Sequence, residues 1–190
     1  KIKNEALVAV DTETSSLNPL EAKLIGISLC YKEGISYYVS MAHNSGKNVS
    51  LEKSLKKLKI ILEDKSIKKI GQNIKYDIMV LKKYGIQINS FEDTMLLSYT
   101  LDAGLNRHNL DLLSEIHLGH KTIQYKDLVG SGKKKLNFNE VDINKATEYA
   151  AEDADVTFRL YKYFKTRLDE DKLNSIYENF EKPMVSVLSK

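Results

Sequence analysis

The sequence predicts an α/β fold built on a mixed sheet. Three observations predict it: β-rich runs come first, strands and helices then alternate, and the second half is almost wholly helical in pattern. The 190 residues fit a single domain spanning 1–190, long enough to bury a sizeable core. Apolar residues make up 42% and charged residues 29%, as in a globular chain. No apolar run approaches the roughly 18 residues that a membrane span needs.

Leu7 to Val10 is a short apolar run that ends in Asp11-Thr12-Glu13-Thr14, a strand with polar residues at its end. Leu24–Tyr31 and Ile35–Ser40 are β-rich and flank Lys32-Glu33-Gly34, which reads as a hairpin and completes a three-strand meander. Ser50 caps a predicted helix to about Leu62, with Leu51, Leu55, Leu58 and Leu62 on one face. Ile67–Ile70 reads as a buried strand closed by Gly71. Asn73 is the predicted cap of the next helix, with Ile74, Ile78 and Leu81 as its stripe and Tyr84-Gly85 as its end. Shorter helices follow near 94–101, 109–117 and 122–129, then a basic loop, Gly130 to Lys135. From about Ile143 to Leu168 one long helix holds neither Gly nor Pro, and Pro183 opens a last short helix. Cys30, alone in an apolar stretch, reads as a core filler, so no intrachain disulfide forms.

Ligands of such sheets lie at the carboxyl ends of strands, where Asp11 and Glu13 sit. Two residues apart on a strand, their carboxylates share a face at roughly 6.6 Å along the chain. Two hard oxygen donors there suit Mg²⁺ or Mn²⁺; the competing reading is an ordinary solvated strand end. Asp77 and Asn73 are i,i+4, which predicts one helix face away from the apolar stripe; an acid complementing the helix dipole explains Asp77 equally well. Tyr149 and Asp153 are also one turn apart and face the same way, while Asp155 points about 200° round and Glu152 is off that face. Ala150, Ala151 and Ala154 let that helix approach the sheet. Each piece is weak alone. Four carboxylates on three elements, with a tyrosine one turn before the last, suit a pair of metal ions and phosphodiester hydrolysis. No P-loop, GxGxxG or Ser-His-Asp grouping competes. The net charge of +3 neither demands nor excludes a polyanion partner.

The stretches VAVDTETSSL, GQNIKYD and YAAEDADVT resemble the three acidic motifs of the 3′→5′ exonuclease domain of bacterial DNA polymerase I, a family A polymerase. The intervening YYVSMAH, FEDTMLLSYTL, HNLDLLSEIHLGHKTI and EKPMVSVL extend the resemblance over essentially the whole chain. It implies a ribonuclease H-like fold and a proofreading nuclease acting on frayed or single-stranded DNA 3′ ends. It also implies two divalent ions, Mg²⁺ or Mn²⁺ with Zn²⁺ an option at one site. By resemblance Asp11, Glu13 and Asp153 bind the first ion, Asp11 bridges to the second, Asp77 supports the second, and Tyr149 with Glu13 orients the attacking water. Also by resemblance, Thr14, Leu17, Gln72, Asn73, Arg107 and Tyr125 lie at the DNA. Leu17 would wedge between terminal bases, or else tuck into the core as a loop leucine. Tyr125 would contact the strand, or else be a surface-helix tyrosine. The Lys133–Lys135 run is a solvated loop or a DNA contact.

His43, His108, His117 and His120 form no metal pattern, and Asp93 beside Thr94 reads as a helix cap. The start at Lys1 and the helix-like ending suggest a fragment. The implied partner is a covalently linked polymerase domain, with about 183–190 as the start of the connection. The implied location is the bacterial cytoplasm, at the nucleoid, with no membrane partner. A ribonuclease D-like RNA exonuclease shares the four acids and the tyrosine. A non-catalytic DNA-binding module of a polymerase is the reading from another class.

Overall fold

The computed structural model describes residues 1–190, the side chain of Lys133 excepted, so the basic-run reading is open to inspection only at Lys134 and Lys135. A short helix α1 (Ile2–Glu5) precedes β1 (Leu7–Thr14), β2 (Leu24–Lys32) and β3 (Ile35–Ser40). Then come α2 (Leu51–Leu62), β4 (Lys68–Gly71), α3 (Ile74–Lys82), β5 (Phe91–Asp93) and α4 (Thr94–Asp102). Helices α5 (Leu110–Leu118), α6 (Tyr125–Val129) and the long α7 (Ile143–Glu170) follow, and α8 (Asn174–Ile176), a π turn at Tyr177–Glu181 and α9 (Lys182–Leu188) close the chain.

The strands form one mixed sheet in the order β3-β2-β1-β4-β5. β1 to β3 are the antiparallel meander that the sequence predicts, while β4 and β5 run parallel to β1. Strand parity decides which helices each face meets. Val8 and Val10 of β1 pack with Leu58 and Leu62 of α2 and with Ile74 and Leu81 of α3. Ala9 faces the other way and packs with Ala154 and Phe158 of α7 and with Leu97 of α4. Burying each large apolar side chain contributes roughly 1.5–3 kcal/mol, so two apolar faces on one sheet fix which side every β1 residue takes. Asp11 and Glu13 have the parity of Ala9 and therefore look toward α7. Ala146, Ala150 and Ala154 are fully buried, which keeps α7 close to the sheet. Cys30 is buried in the same layer. No helix is long and apolar enough to cross a membrane.

The structure departs from the sequence reading in four places. Asn73 does not cap α3: it takes a left-handed conformation (φ 60°) and its side chain makes no capping bond. The acceptor is Asp93, whose Oδ1 takes Asn73 N and whose Oδ2 takes Ile74 N, each at 3.0 Å. The same Asp93 caps α4 through Met95 N at 2.9 Å, as its position before Thr94 predicts. Since Asn73 precedes the helix, it and Asp77 do not form the predicted helical i,i+4 pair. β5 was not predicted, because three residues are too few for any period to register. The helix predicted over 122–129 starts only at Tyr125.

Glu92 of β5 is buried between Lys68 at 3.1 Å and Lys182 of α9 at 3.2 Å, tying the last helix to the sheet. Asp93 N donates to the buried Tyr177 hydroxyl at 3.0 Å, so β5 is held from both sides. Asp93 thus serves two helix starts at once. Asp93→Ala is expected to cost about 2 kcal/mol or more of folding stability, because it removes two caps and strands buried N–H groups. Urea unfolding measures it, and a loss below about 0.5 kcal/mol would contradict the double-cap role.

Candidate active site

Asp11 and Glu13 leave the carboxyl end of β1 on the α7 side, and Asp153 comes down from α7 to meet them. One carboxylate oxygen from each of the three lies within 4.8 Å of the others. Glu13 and Asp153 are buried; Asp11 keeps some solvent contact at the cleft floor while protein surrounds it. The fourth acid, Asp77, is 2% exposed and stands on the other side of β1. Its Oδ1 accepts from Thr12 N at 2.9 Å and from Thr12 Oγ1 at 2.6 Å. Thr12 has the opposite parity to Asp11 and Glu13, so it faces α3 and holds Asp77 just outside the cluster of three.

Burial and like charge act together here. Burial pushes the Asp11 carboxyl up to about 6. Glu13 is raised well above the usual range, first by burial and then by Asp11, Asp153 and Asp77. Burial and then Asp11 raise both Asp77 and Asp153 in the same way. Glu13 Oε1 is buried without a hydrogen-bond partner among the described residues. Buried acceptors are rarely left unpaired. Hard oxygen donors that converge, repel one another and include one orphan fit a divalent cation.

Tyr149 stands one turn before Asp153 and beside its carboxylate. Burial, then Asp153, Glu13 and Asp11, push its hydroxyl far above the ordinary tyrosine range. The phenol therefore stays protonated and acts as a hydrogen-bond donor.

These residues line one cleft of about 680 Å³. Thr14, Leu17, Gln72, Asn73 and Tyr125 border it as well. Leu17 is 96% exposed, which removes the core-leucine reading. Tyr125 is half-exposed at the start of α6, its ring parallel to Phe138 at 6.4 Å and edge-on to Tyr149 at 6.0 Å. Gln72 is already oriented: its Nε2 donates to His108 O at 2.7 Å, and its Oε1 accepts from Thr94 Oγ1 at 2.5 Å. Arg107 is exposed and does not line the cleft, because the loop after α4 carries it away.

Sequence reasoning missed several members. Tyr76 pairs its hydroxyl with Thr14 and with Ser16 O, tying α3 to the loop after β1. The only signal was its place beside Asp77 in GQNIKYD. Phe138 and Lys135 line the cleft from the segment before α7. Glu152, off the face that carries Tyr149 and Asp153, accepts from Ile123 N at 2.6 Å and pairs with His120 Nε2 at 2.8 Å. It thereby joins α7 to the chain that delivers Tyr125. Asp155 accepts Gly34 N at 2.6 Å, clamping the β2–β3 hairpin. The histidines serve structure: His43 meets Tyr38 at 2.9 Å, His108 meets Ser98 at 2.9 Å, and His117 packs on Phe164.

Sheet order and acid cluster together define the class, a ribonuclease H-like nuclease. The chain belongs within it to the 3′→5′ exonuclease family whose model matches residues 1–169. DNA polymerase I of Rhizobium leguminosarum is 45% identical over 97% of this chain, which covers 20% of that protein. The chain thus spans about a fifth of the length of the curated relatives it matches. Among solved structures, Brucella melitensis NrnC superposes with a TM-score of 0.74 at 25% identity, covering 96% of this chain and 84% of that one. NrnC has also been solved with bound Mg²⁺. Escherichia coli RNase D shares the fold, with a TM-score of 0.73 at 16% identity over 100% of this chain and 46% of that one.

An acid whose folded pKa is raised holds its proton longer folded than unfolded, so its contribution is fully present at low pH and is lost as pH rises through the folded value. Without divalent ions, stability is therefore expected to fall as pH rises from 3.8 through about 6, the Asp11 window, and onward as the other three ionise. Asp11→Asn removes one charge from the cluster and should raise stability by about 1–2 kcal/mol above that window in chelator. Denaturant unfolding across pH checks it; an Asn variant no more stable than the parent would contradict the repulsion.

Proposed function

We propose that this chain is a metal-dependent 3′→5′ exodeoxyribonuclease, the proofreading module of a DNA polymerase I acting at the nucleoid. The observation that carries the metal-dependent chemistry is the buried convergence of Asp11, Glu13 and Asp153 with an unpaired Glu13 oxygen, on the floor of an open cleft. The relatives of highest listed identity are DNA polymerases I, which favours DNA over RNA. In the longer protein, 183–190, which begins in α9 and runs past its end, starts the connection to the polymerase domain.

Asp11, Glu13 and Asp153 would hold one divalent ion, Mg²⁺ or Mn²⁺ with Zn²⁺ an option at one position, and Asp11 with Asp77 would support a second. Mg²⁺ on the related NrnC is in keeping with this. Bound there, such ions lower the pKa of water and stabilise charge on a phosphoryl group under attack. The chain's own residues do the positioning. The unpaired Glu13 Oε1 accepts a hydrogen bond from the attacking water. The protonated Tyr149 hydroxyl donates one and aims the water without removing a proton. Thr12 keeps Asp77 in place. Leu17, exposed at the rim, separates the terminal base from its neighbour, and Tyr125 offers a ring for stacking. Thr14, Gln72 and Asn73, which border the same cleft, also contact the strand. Arg107 stands outside the cleft, so its phosphate contact falls away from the cleaved bond.

End-labelled single-stranded DNA should be shortened from its 3′ end in Mg²⁺ or Mn²⁺ and left intact in chelator. Asp11→Ala should slow this by on the order of 10³-fold or more, the equivalent of several kcal/mol of transition-state stabilisation. Faster shortening of RNA than of DNA would move the chain to the ribonuclease D kind, and metal-independent binding without cleavage would make it a spacer module.

Tyr149→Phe keeps the packed ring and removes only the donor. Its single-turnover rate at saturating enzyme should fall by roughly ten- to a hundredfold, less than for Asp11→Ala, with DNA affinity unchanged. A rate equal to that of the parent would confine Tyr149 to packing.

A further inference from the structure

A phosphodiester strand entering this cleft meets four carboxylates, and two bound cations answer them only at the floor. At the wall, the cationic side chain among the described lining residues is Lys135. Its Nζ stands 5.7 Å from the centre of the Tyr125 ring. No ion pair engages it among the described residues, although other lysines of the chain are paired. Lys134, its neighbour, is exposed and does not line the cleft.

The backbone explains why Lys135 is the one turned inward. Gly130 takes a positive φ of 76° and bends the chain after α6. Lys135 N donates to Gly132 O at 3.2 Å and Leu136 N to Val129 O at 2.9 Å, folding the segment back on itself. Asn137 and Glu140 then form a capping box that seats Phe138 beside Tyr125. An exposed ammonium over a ring gains only about 0.5–1 kcal/mol, so a phosphate oxygen competes well for it.

We propose that Lys135 is a strand-binding residue, taking a backbone phosphate of the nucleotide whose base stacks on Tyr125. On binding, the base takes over the ring and the ammonium moves from the ring to the phosphate. The contact reads neither base nor sugar, so it strengthens grip on any single strand. The assignment rests on the nuclease reading above and adds a residue that the acidic motifs do not contain.

The test uses the full chain carrying Asp11→Asn, which prevents hydrolysis, with a 5′-labelled oligothymidylate followed by fluorescence anisotropy across a salt series. Added Lys135→Ala should raise Kd roughly three- to tenfold, equally for oligothymidylate and oligoadenylate. The slope of log K against log salt should lose about 0.7 in magnitude, the share of one phosphate on a single strand. Lys135→Arg should restore both values. Lys134→Ala should leave both as in the parent, and none of the three substitutions should shift the thermal midpoint by more than about 4 °C. A Lys135→Ala slope equal to that of the parent, or a loss matched by Lys134→Ala, overturns the assignment. If the parent itself fails to bind single strands, the nuclease reading falls instead, and the assignment with it.

Discussion

Carboxylates of like sign, buried together at one strand end, repel one another and have lost much of their water. That constraint organises the rest of the molecule. Left alone, such a cluster would relax outward or keep its protons. Here it cannot relax outward, because β1 is pinned on both faces, and the acids keep their protons to higher pH instead. Val8 and Val10 are locked under α2 and α3, and Ala9 is locked under α7. The strand cannot slip by one residue without turning two apolar cores and two acids the wrong way. The cost of assembling the acids is met by burial elsewhere, a common pattern at functional sites.

Several smaller devices serve the same end. Thr12 gives Asp77 two donors, so the fourth acid stays near the other three without joining their contact. Asp93 starts α3 and α4 together, which fixes the helix that bears Asp77. Gly26 lies beside Glu13 in register, and a Cβ there would come within 2.1 Å of Tyr38 Oη. A glycine at that point lets the Tyr38 ring cross the strand next to the cluster. Glu152 then couples the helix carrying Asp153 and Tyr149 to the segment carrying Tyr125. The acid cluster and the α6 wall of the cleft are therefore mechanically joined through two adjacent residues of α7.

Much of this was legible in the sequence because it follows from periodicity. Parity alone puts Asp11 and Glu13 on one face, and the 3.6-residue turn puts Tyr149 with Asp153 and turns Asp155 away. The meander, the long helix and the Asp93 cap of α4 follow from equally local signals. What was not legible is set by contacts distant in sequence. Asn73 resembles a helix cap, but its left-handed backbone leaves the role to Asp93, twenty residues on. β5 is too short to show a period. Nothing local assigns Thr12 a role, and only its partner 65 residues away gives it one. Arg107 matches a position near the DNA by motif, but that it stands exposed on the loop after α4, off the cleft lining, is not a local signal.

The central claim is that the fold gathers carboxylates whose pKa values are raised by burial and mutual repulsion, a set suited to divalent ions. Calorimetric titration of the chain with Mn²⁺ at neutral pH, repeated in buffers of different ionisation enthalpy, measures the protons released on binding. Ion binding requires deprotonated ligands, so raised acids must give up protons as the ion enters. The account predicts saturable binding with net proton release, and loss of both in the Glu13→Gln variant. Binding with no proton release, or release undiminished in Glu13→Gln, would contradict it.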